Sequence, residues 1–229
     1  MSDLIPALEQ HTDSLLATAG SLRDPEHATF CAGWSRANVL AHVSSNARGM
    51  VRLVRAIVDG EHVTMYASQE ARDADVAAGA STPLETLLHD LETTGEQALE
   101  ALRRLGPEHA DVTAERTPGG RVFRGATLPY LRLREVVYHH VDLEAGFTFD
   151  DVEPELLGLF LDREVTQLAR NPHAPSVRLV SDEGDHYEVG DAPTSTVSGP
   201  RSGLVLWLAR QMPGGVSGDP AVPEVPPGA

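Results

Sequence analysis

The sequence has few cysteines, few basic residues and no long apolar run, and each shortage argues against a class of protein. Cys31 is the only cysteine, so no disulfide can form within the chain, which fits a reducing compartment. Lysine and arginine together number 18, against 34 aspartates and glutamates, for a net charge of −16. We therefore expect no broad binding of nucleic acid or of an anionic membrane. No apolar run approaches the ~20 residues that a membrane span needs.

The N-terminal segment also lacks the pattern of a secretion signal, because no basic stretch precedes an apolar core. We therefore expect a cytoplasmic protein. Its hydrophobic fraction of 41% and charged fraction of 23% are ordinary for a globular chain. A length of 229 residues allows one large domain or two modest ones.

Helical periodicity dominates the first 150 residues. Ser35 is a good N-cap for a helix that Gly60 ends, and Thr82 is predicted to cap another helix with Pro83 in its first turn. Four long helices joined by loops predict a bundle. The predicted helices lie near residues 4–20, 35–60, 82–106 and 127–145, with a less regular one at 66–80.

The pattern changes after residue 150. A helix at 153–170 is followed by short alternating segments bounded by turn residues, which predict strands, and then by a helix that begins near Pro200. The sequence thus predicts an α+β protein. A bundle spans 1–150, a small α+β domain spans 151–215, and a disordered Pro/Gly-rich tail spans 216–229.

The stretch LREVVYHHVDLEAG, residues 133–146, holds an unusual number of ionisable groups for a helix. Glu135 and His139 are four residues apart and share a helix face, whereas His140 is rotated by about 100°. A carboxylate and an imidazole one turn apart make a half-site for a divalent metal, and His42 is the favoured third ligand. His89 is a weaker candidate, because it faces away from most of its helix's leucine stripe. The plainer alternatives are a surface Glu–His ion pair and a core histidine.

The segments GWSRANVLAHVSSNA and RLREVVYHHVDLEAGF form a paired signature. Together they resemble the mycothiol-dependent maleylpyruvate isomerases, a branch of the DinB-like metal-binding helical bundles. A third, VSGPRSGLVLWLARQ, resembles the end of that family's C-terminal domain, which is similar to sterol-carrier-protein folds. The resemblance implies that His42, Glu135 and His139 bind Zn²⁺. It also implies that Arg210 binds a substrate carboxylate, although Ala209 stands where the family usually has glycine.

The resemblance further implies a reaction. A metal-bound mycothiol thiolate would add to the cis double bond of maleylpyruvate and leave again after rotation, giving fumarylpyruvate. Two alternatives stay open: a mycothiol-dependent S-transferase, which would release the adduct, and a non-catalytic metal-binding regulatory module. The expected partners are a small-molecule substrate and a low-molecular-weight thiol, and we expect the protein to act as a monomer.

Overall fold

The structure is a computed structural model that describes residues 4–226. The chain divides between Gly146 and Phe147 into two compact units. This division falls just before the domain boundary expected from the sequence at residue 150. No helix among the described residues is both long enough and apolar enough to cross a membrane.

The first unit is a helical bundle. Helices α1, α2, α4 and α5 pack together, and α3 packs against α2. Their apolar faces form the core, with Leu40, Leu53 and Leu133 fully buried. The helices are α1 (Ile5–Ser21), α2 (Arg36–Val58), α3 (Gln69–Ala80), α4 (Leu84–Leu102) and α5 (Leu128–Asp142).

Helix α2 begins as the sequence predicts. The Ser35 hydroxyl accepts from the backbone N–H of Asn38, and the Asn38 side chain accepts from the backbone N–H of Ser35. This reciprocal pairing satisfies two donors and fixes where α2 starts. The predicted Thr82 cap on α4 is wrong. The Thr82 hydroxyl donates to the Gly79 carbonyl of the preceding helix, and Pro83 occupies the cap position without a side-chain bond.

A short antiparallel hairpin joins α4 to α5. It pairs β1 (Thr113–Glu115) with β2 (Val122–Arg124). The backbone N–H of Met65 donates to the Glu115 carbonyl, so the loop that follows α2 is tied to this hairpin.

The second unit combines two helices with a mixed sheet, and with the bundle it confirms the predicted α+β class. The strand order is β4-β3-β5-β6; β3 and β5 are parallel, and the outer pairs are antiparallel. Helices α6 and α7 pack together. The elements are α6 (Pro154–Ala169), β3 (Val177–Ser181), β4 (His186–Val189), β5 (Ser195–Gly199), α7 (Arg201–Arg210) and β6 (Ser217–Asp219).

The expectation of a disordered tail from residue 216 is wrong for residues 217–219, which form β6 and pair with β5. Composition did not predict this strand, because the edge of β5 presents backbone N–H and C=O groups that need partners. Even a glycine-containing segment can supply those partners. Val225 is also buried, and its carbonyl accepts from the side-chain amide of Gln211. Residues 227–229 of the predicted tail lie outside the described part of the chain.

Candidate metal centre

Helices α2 and α5 bring the three predicted ligands together. The Nε2 atom of His42 lies 3.0 Å from Oε2 of Glu135, and Nε2 of His139 lies 3.5 Å from the same oxygen. The candidate ligand atoms of His42, Glu135 and His139 all lie within 4.8 Å of one another. Two nitrogens and one carboxylate oxygen at this spacing could share one divalent ion.

A buried arginine joins the two helices that supply these ligands. Arg132 lies three residues before Glu135 on α5, and its side chain is almost fully buried. Its Nη1 donates at 2.9 Å both to the backbone carbonyl of Val43 and to Oδ1 of Asn46 on α2. Burial lowers the pKa of Arg132 to about 10, which still leaves it charged at neutral pH. This link fixes the register between the helices and so places Glu135 opposite His42.

The adjacent histidines of α5 point to different neighbours, as helical geometry predicts. His139 faces Glu135 and places Nδ1 2.8 Å from Oδ2 of Asp142, which is fully buried. His140 is also fully buried, with Nε2 2.8 Å from the hydroxyl of Thr18 on α1. Asp142 is thus the partner of His139. A carboxylate on the second ring nitrogen is the usual support for a metal-binding histidine.

Cys31 lies beside this pair, and sequence reasoning missed it. Its Sγ donates to Oδ2 of Asp142 at 3.2 Å and lies 4.0 Å from Nδ1 of His139. Cys31, His139 and Asp142 form a second group whose atoms could hold a metal ion. Cys31 precedes α2 in an irregular segment, so no helical spacing could have related it to α5.

Trp34 and Arg72 complete the surroundings of His42. Trp34 lies in the first segment that resembles the family, but spacing along the chain predicts neither contact. The Trp34 ring lies edge-on to His42, with centroids 5.2 Å apart. Arg72, from the first turn of α3, places Nη2 2.9 Å from Nδ1 of His42 and its guanidinium carbon 5.4 Å from the centre of the Trp34 ring. Both ring nitrogens of His42 are therefore held, one by Glu135 and one by Arg72.

The ionisation of the three ligands follows from burial and pairing. Burial lowers the pKa of His42 to about 4 despite its bond to Glu135, so the ring is neutral at pH 7. Burial favours a raised pKa for Glu135, but the bonds to His139 and His42 outweigh it and hold that pKa well below its usual range. Burial alone would lower the pKa of His139, but the bond to Asp142 and the other paired groups raise it well above normal. Protonated His139 thus lies between two carboxylates.

This donor set suits a divalent cation. His42 is in the neutral form that ligates, and Glu135 is charged. The Asp142 carboxylate would support His139 once its proton is displaced by metal. The side chain of Glu135 is 24% exposed, whereas that of His42 is 7% exposed, so the site can be reached from the Glu135 side. A catalytic metal needs such an open side, because substrate or cofactor must occupy a coordination position.

Two other candidates lie elsewhere. His89, the weaker alternative ligand, is exposed on α4. Arg210 is the last residue of α7, in the second unit, and its Nη1 donates to the carbonyl of Ala209. Its role toward a substrate stays a prediction.

Comparisons with known proteins agree with the resemblance seen in the sequence. Residues 8–144 match the family described as the mycothiol maleylpyruvate isomerase N-terminal domain. Two crystal structures of a mycothiol-dependent maleylpyruvate isomerase share this fold: one is 24% identical with a TM-score of 0.89, and a mutant form is 23% identical with a TM-score of 0.90. Each alignment covers 98% of this chain and 95% of the other. A search of curated proteins gave no match.

Proposed function

Because the chain belongs to the mycothiol maleylpyruvate isomerase family, we propose that it is a metal- and mycothiol-dependent cis–trans isomerase that converts maleylpyruvate to fumarylpyruvate. The observation that carries the proposal is the convergence of His42, Glu135 and His139, two of them on one helix and the third on another. Three protein ligands with an accessible side are the pattern of a catalytic rather than a structural zinc site.

The chemistry supplied from outside the chain is that of a thiol activated by Zn²⁺, whose lowered pKa provides a thiolate able to add reversibly to the cis double bond at neutral pH. The protein's own residues hold and shape that site. His42, Glu135 and His139 would be the ligands, and Asp142 would orient His139 through Nδ1. Arg210 would bind a substrate carboxylate through paired N–H groups. We place the reaction in the cytoplasm and expect a monomer.

The reaction is tested with purified protein loaded with Zn²⁺, by following the absorbance of maleylpyruvate with and without mycothiol. Isomerisation that requires the thiol, and that disappears in Glu135→Gln, is the expected result. His89→Ala is the matched control, because His89 is an exposed histidine outside the site.

The same assay separates the alternatives. Conjugation of mycothiol to a haloalkyl dye without isomerisation of maleylpyruvate would identify an S-transferase instead. A protein that binds stoichiometric metal but catalyses neither reaction would be a regulatory module, and the isomerase proposal would be wrong.

A further inference from the structure

One buried N–H of Arg72 has no acceptor within residues 4–226, the part of the chain that the structure describes. Nη1 donates to Asp73 at 2.8 Å and Nη2 donates to His42 at 2.9 Å, but Nε is buried and has no hydrogen-bond partner among the described residues. The side chain is 16% exposed. A buried donor left without an acceptor destabilises the folded state, because it has lost its hydrogen bond to water. An acceptor brought by a ligand would remove that destabilisation.

The unpaired Nε lies on the edge of the guanidinium that binds carboxylates. Arg201 shows this use elsewhere in the chain: its Nε donates to Oδ2 of Asp185 at 2.6 Å and its Nη2 to Oδ1 at 2.9 Å. Two parallel N–H groups match the two oxygens of a carboxylate. On Arg72, Nη2 of the same edge contacts a ring nitrogen of His42, whereas Nε contacts no acceptor in the described part of the chain.

Metal binding would make the second N–H available as well. Nδ1 of His42 accepts a hydrogen bond only when the neutral ring carries its proton on Nε2. If His42 were to bind a metal through Nε2, its neutral ring would carry the proton on Nδ1, which then could not accept from Arg72. Nε and Nη2 of Arg72 would then both need an acceptor beside the metal centre.

We propose that the Nε/Nη2 edge of Arg72 binds a carboxylate of the substrate next to the metal, and that it selects for anionic substrates. Trp34 holds the guanidinium in place from one face, so little side-chain freedom is lost when the carboxylate binds. The identity of the substrate rests on the proposed function. Maleylpyruvate has two carboxylates, so Arg72 would take one and leave the other for a second cation.

The test measures binding of maleate, a cis-dicarboxylate, to Zn²⁺-loaded protein by calorimetry. Arg72→Gln is expected to weaken maleate binding at least about tenfold, because a charge-assisted, two-point contact is lost. Arg72→Lys keeps the charge but lacks the paired donors, so it should also bind weakly. Arg48→Gln is the matched control, since Arg48 is an arginine of the same unit engaged with Asp90. It should bind like wild type.

A second measurement distinguishes a role of Arg72 in binding the substrate from a role in positioning His42 for the metal. In Arg72→Gln, the KM for maleylpyruvate should rise while bound Zn²⁺ stays stoichiometric. Three results would overturn the proposal: wild-type affinity for maleate in Arg72→Gln, recovery of maleate binding by added Zn²⁺ alone, or no saturable maleate binding by wild type. Maleate binding needs no turnover, so the proposal on Arg72 can stand even where isomerase activity fails.

Discussion

Asp142 and Glu135 contact opposite ring nitrogens of His139: Oδ2 of Asp142 lies 2.8 Å from Nδ1, while Nε2 faces Glu135. Both residues lie on α5, and Asp142 is fully buried at its last position. A carboxylate in this place fixes the rotation of the ring and keeps Nε2 directed at the candidate metal position.

Asp142→Asn should therefore weaken metal binding without removing a ligand. We expect a loss of about 10- to 100-fold in Zn²⁺ affinity, the usual effect of removing the partner of a ligating histidine. Competition with a chelating dye measures it. Cys31→Ala is the control, because Cys31 also contacts Asp142 but is not one of the proposed ligands. Equal affinity in Asp142→Asn and wild type would contradict the role of Asp142.

The two adjacent histidines allow a matched pair of substitutions. His139→Phe should abolish stoichiometric metal binding, because it removes a ligand. His140→Phe should leave metal content unchanged but lower the free energy of unfolding by about 1–3 kcal/mol, because the buried contact with Thr18 is lost. Metal analysis after dialysis and thermal unfolding measure the two effects. The assignment is wrong if both variants lose metal equally while remaining folded.

Bound metal should also raise the free energy of unfolding of the first unit, because the candidate ligands come from α2 and α5, two helices that are distant in sequence. Any ion that binds the folded state alone raises stability, by about 2.7 kcal/mol at a free concentration 100 times its Kd. Added Zn²⁺ should raise the melting temperature of dialysed wild type and leave that of His42→Ala nearly unchanged. A similar rise in both proteins would point to binding elsewhere.

The Asp185–Arg201 pair gives the second unit a predictable response to acid. Hydrogen bonds from Arg201 lower the pKa of Asp185 to about 2, below its unfolded value of 3.8. The unfolded chain therefore binds the proton more tightly. The pair's contribution is complete above about pH 4 and is lost as the pH falls through about 2.

Asp185→Asn should thus destabilise the second unit by roughly 1–2 kcal/mol at pH 6, and the difference from wild type should shrink toward pH 2. Denaturant unfolding, followed by Trp207 fluorescence in a Trp34→Phe background, measures it. Glu188→Gln is the control: it breaks the exposed pair with Arg178, for which we expect little change at any pH. A pH-independent difference for Asp185→Asn would refute the ionic origin.

Helical periodicity relates Glu135 to His139, and the family resemblance adds His42 as the third candidate ligand, but neither predicts what surrounds the site. Glu135 and His139 are one turn apart, so their shared face follows from the sequence alone. Cys31 and Trp34 lie in an irregular segment, and Arg72 lies on a helix that packs against α2. The approach of Cys31 to His139, and of Trp34 and Arg72 to His42, depends on tertiary packing, which spacing along the chain does not encode.

The errors at Thr82 and in the tail have a related cause. Thr82 has the right chemistry for a cap, but its hydroxyl is used by the Gly79 carbonyl at the end of α3. Residues 217–219 have little strand propensity, yet β5 offers them backbone partners. In both cases a backbone group nearby in the fold formed a hydrogen bond that the local sequence preference did not predict.

The presence of β6 changes how this protein can be shortened. A chain cut after Gly215, where the composition predicts the tail to begin, would remove the strand that pairs with β5 at Thr196, Val197 and Ser198. β5 would then become a free sheet edge, which is a template for adding a strand from another molecule. Residues 217–219 thus cover the edge of β5. A protein truncated before them would be prone to aggregate even if the candidate metal site were intact.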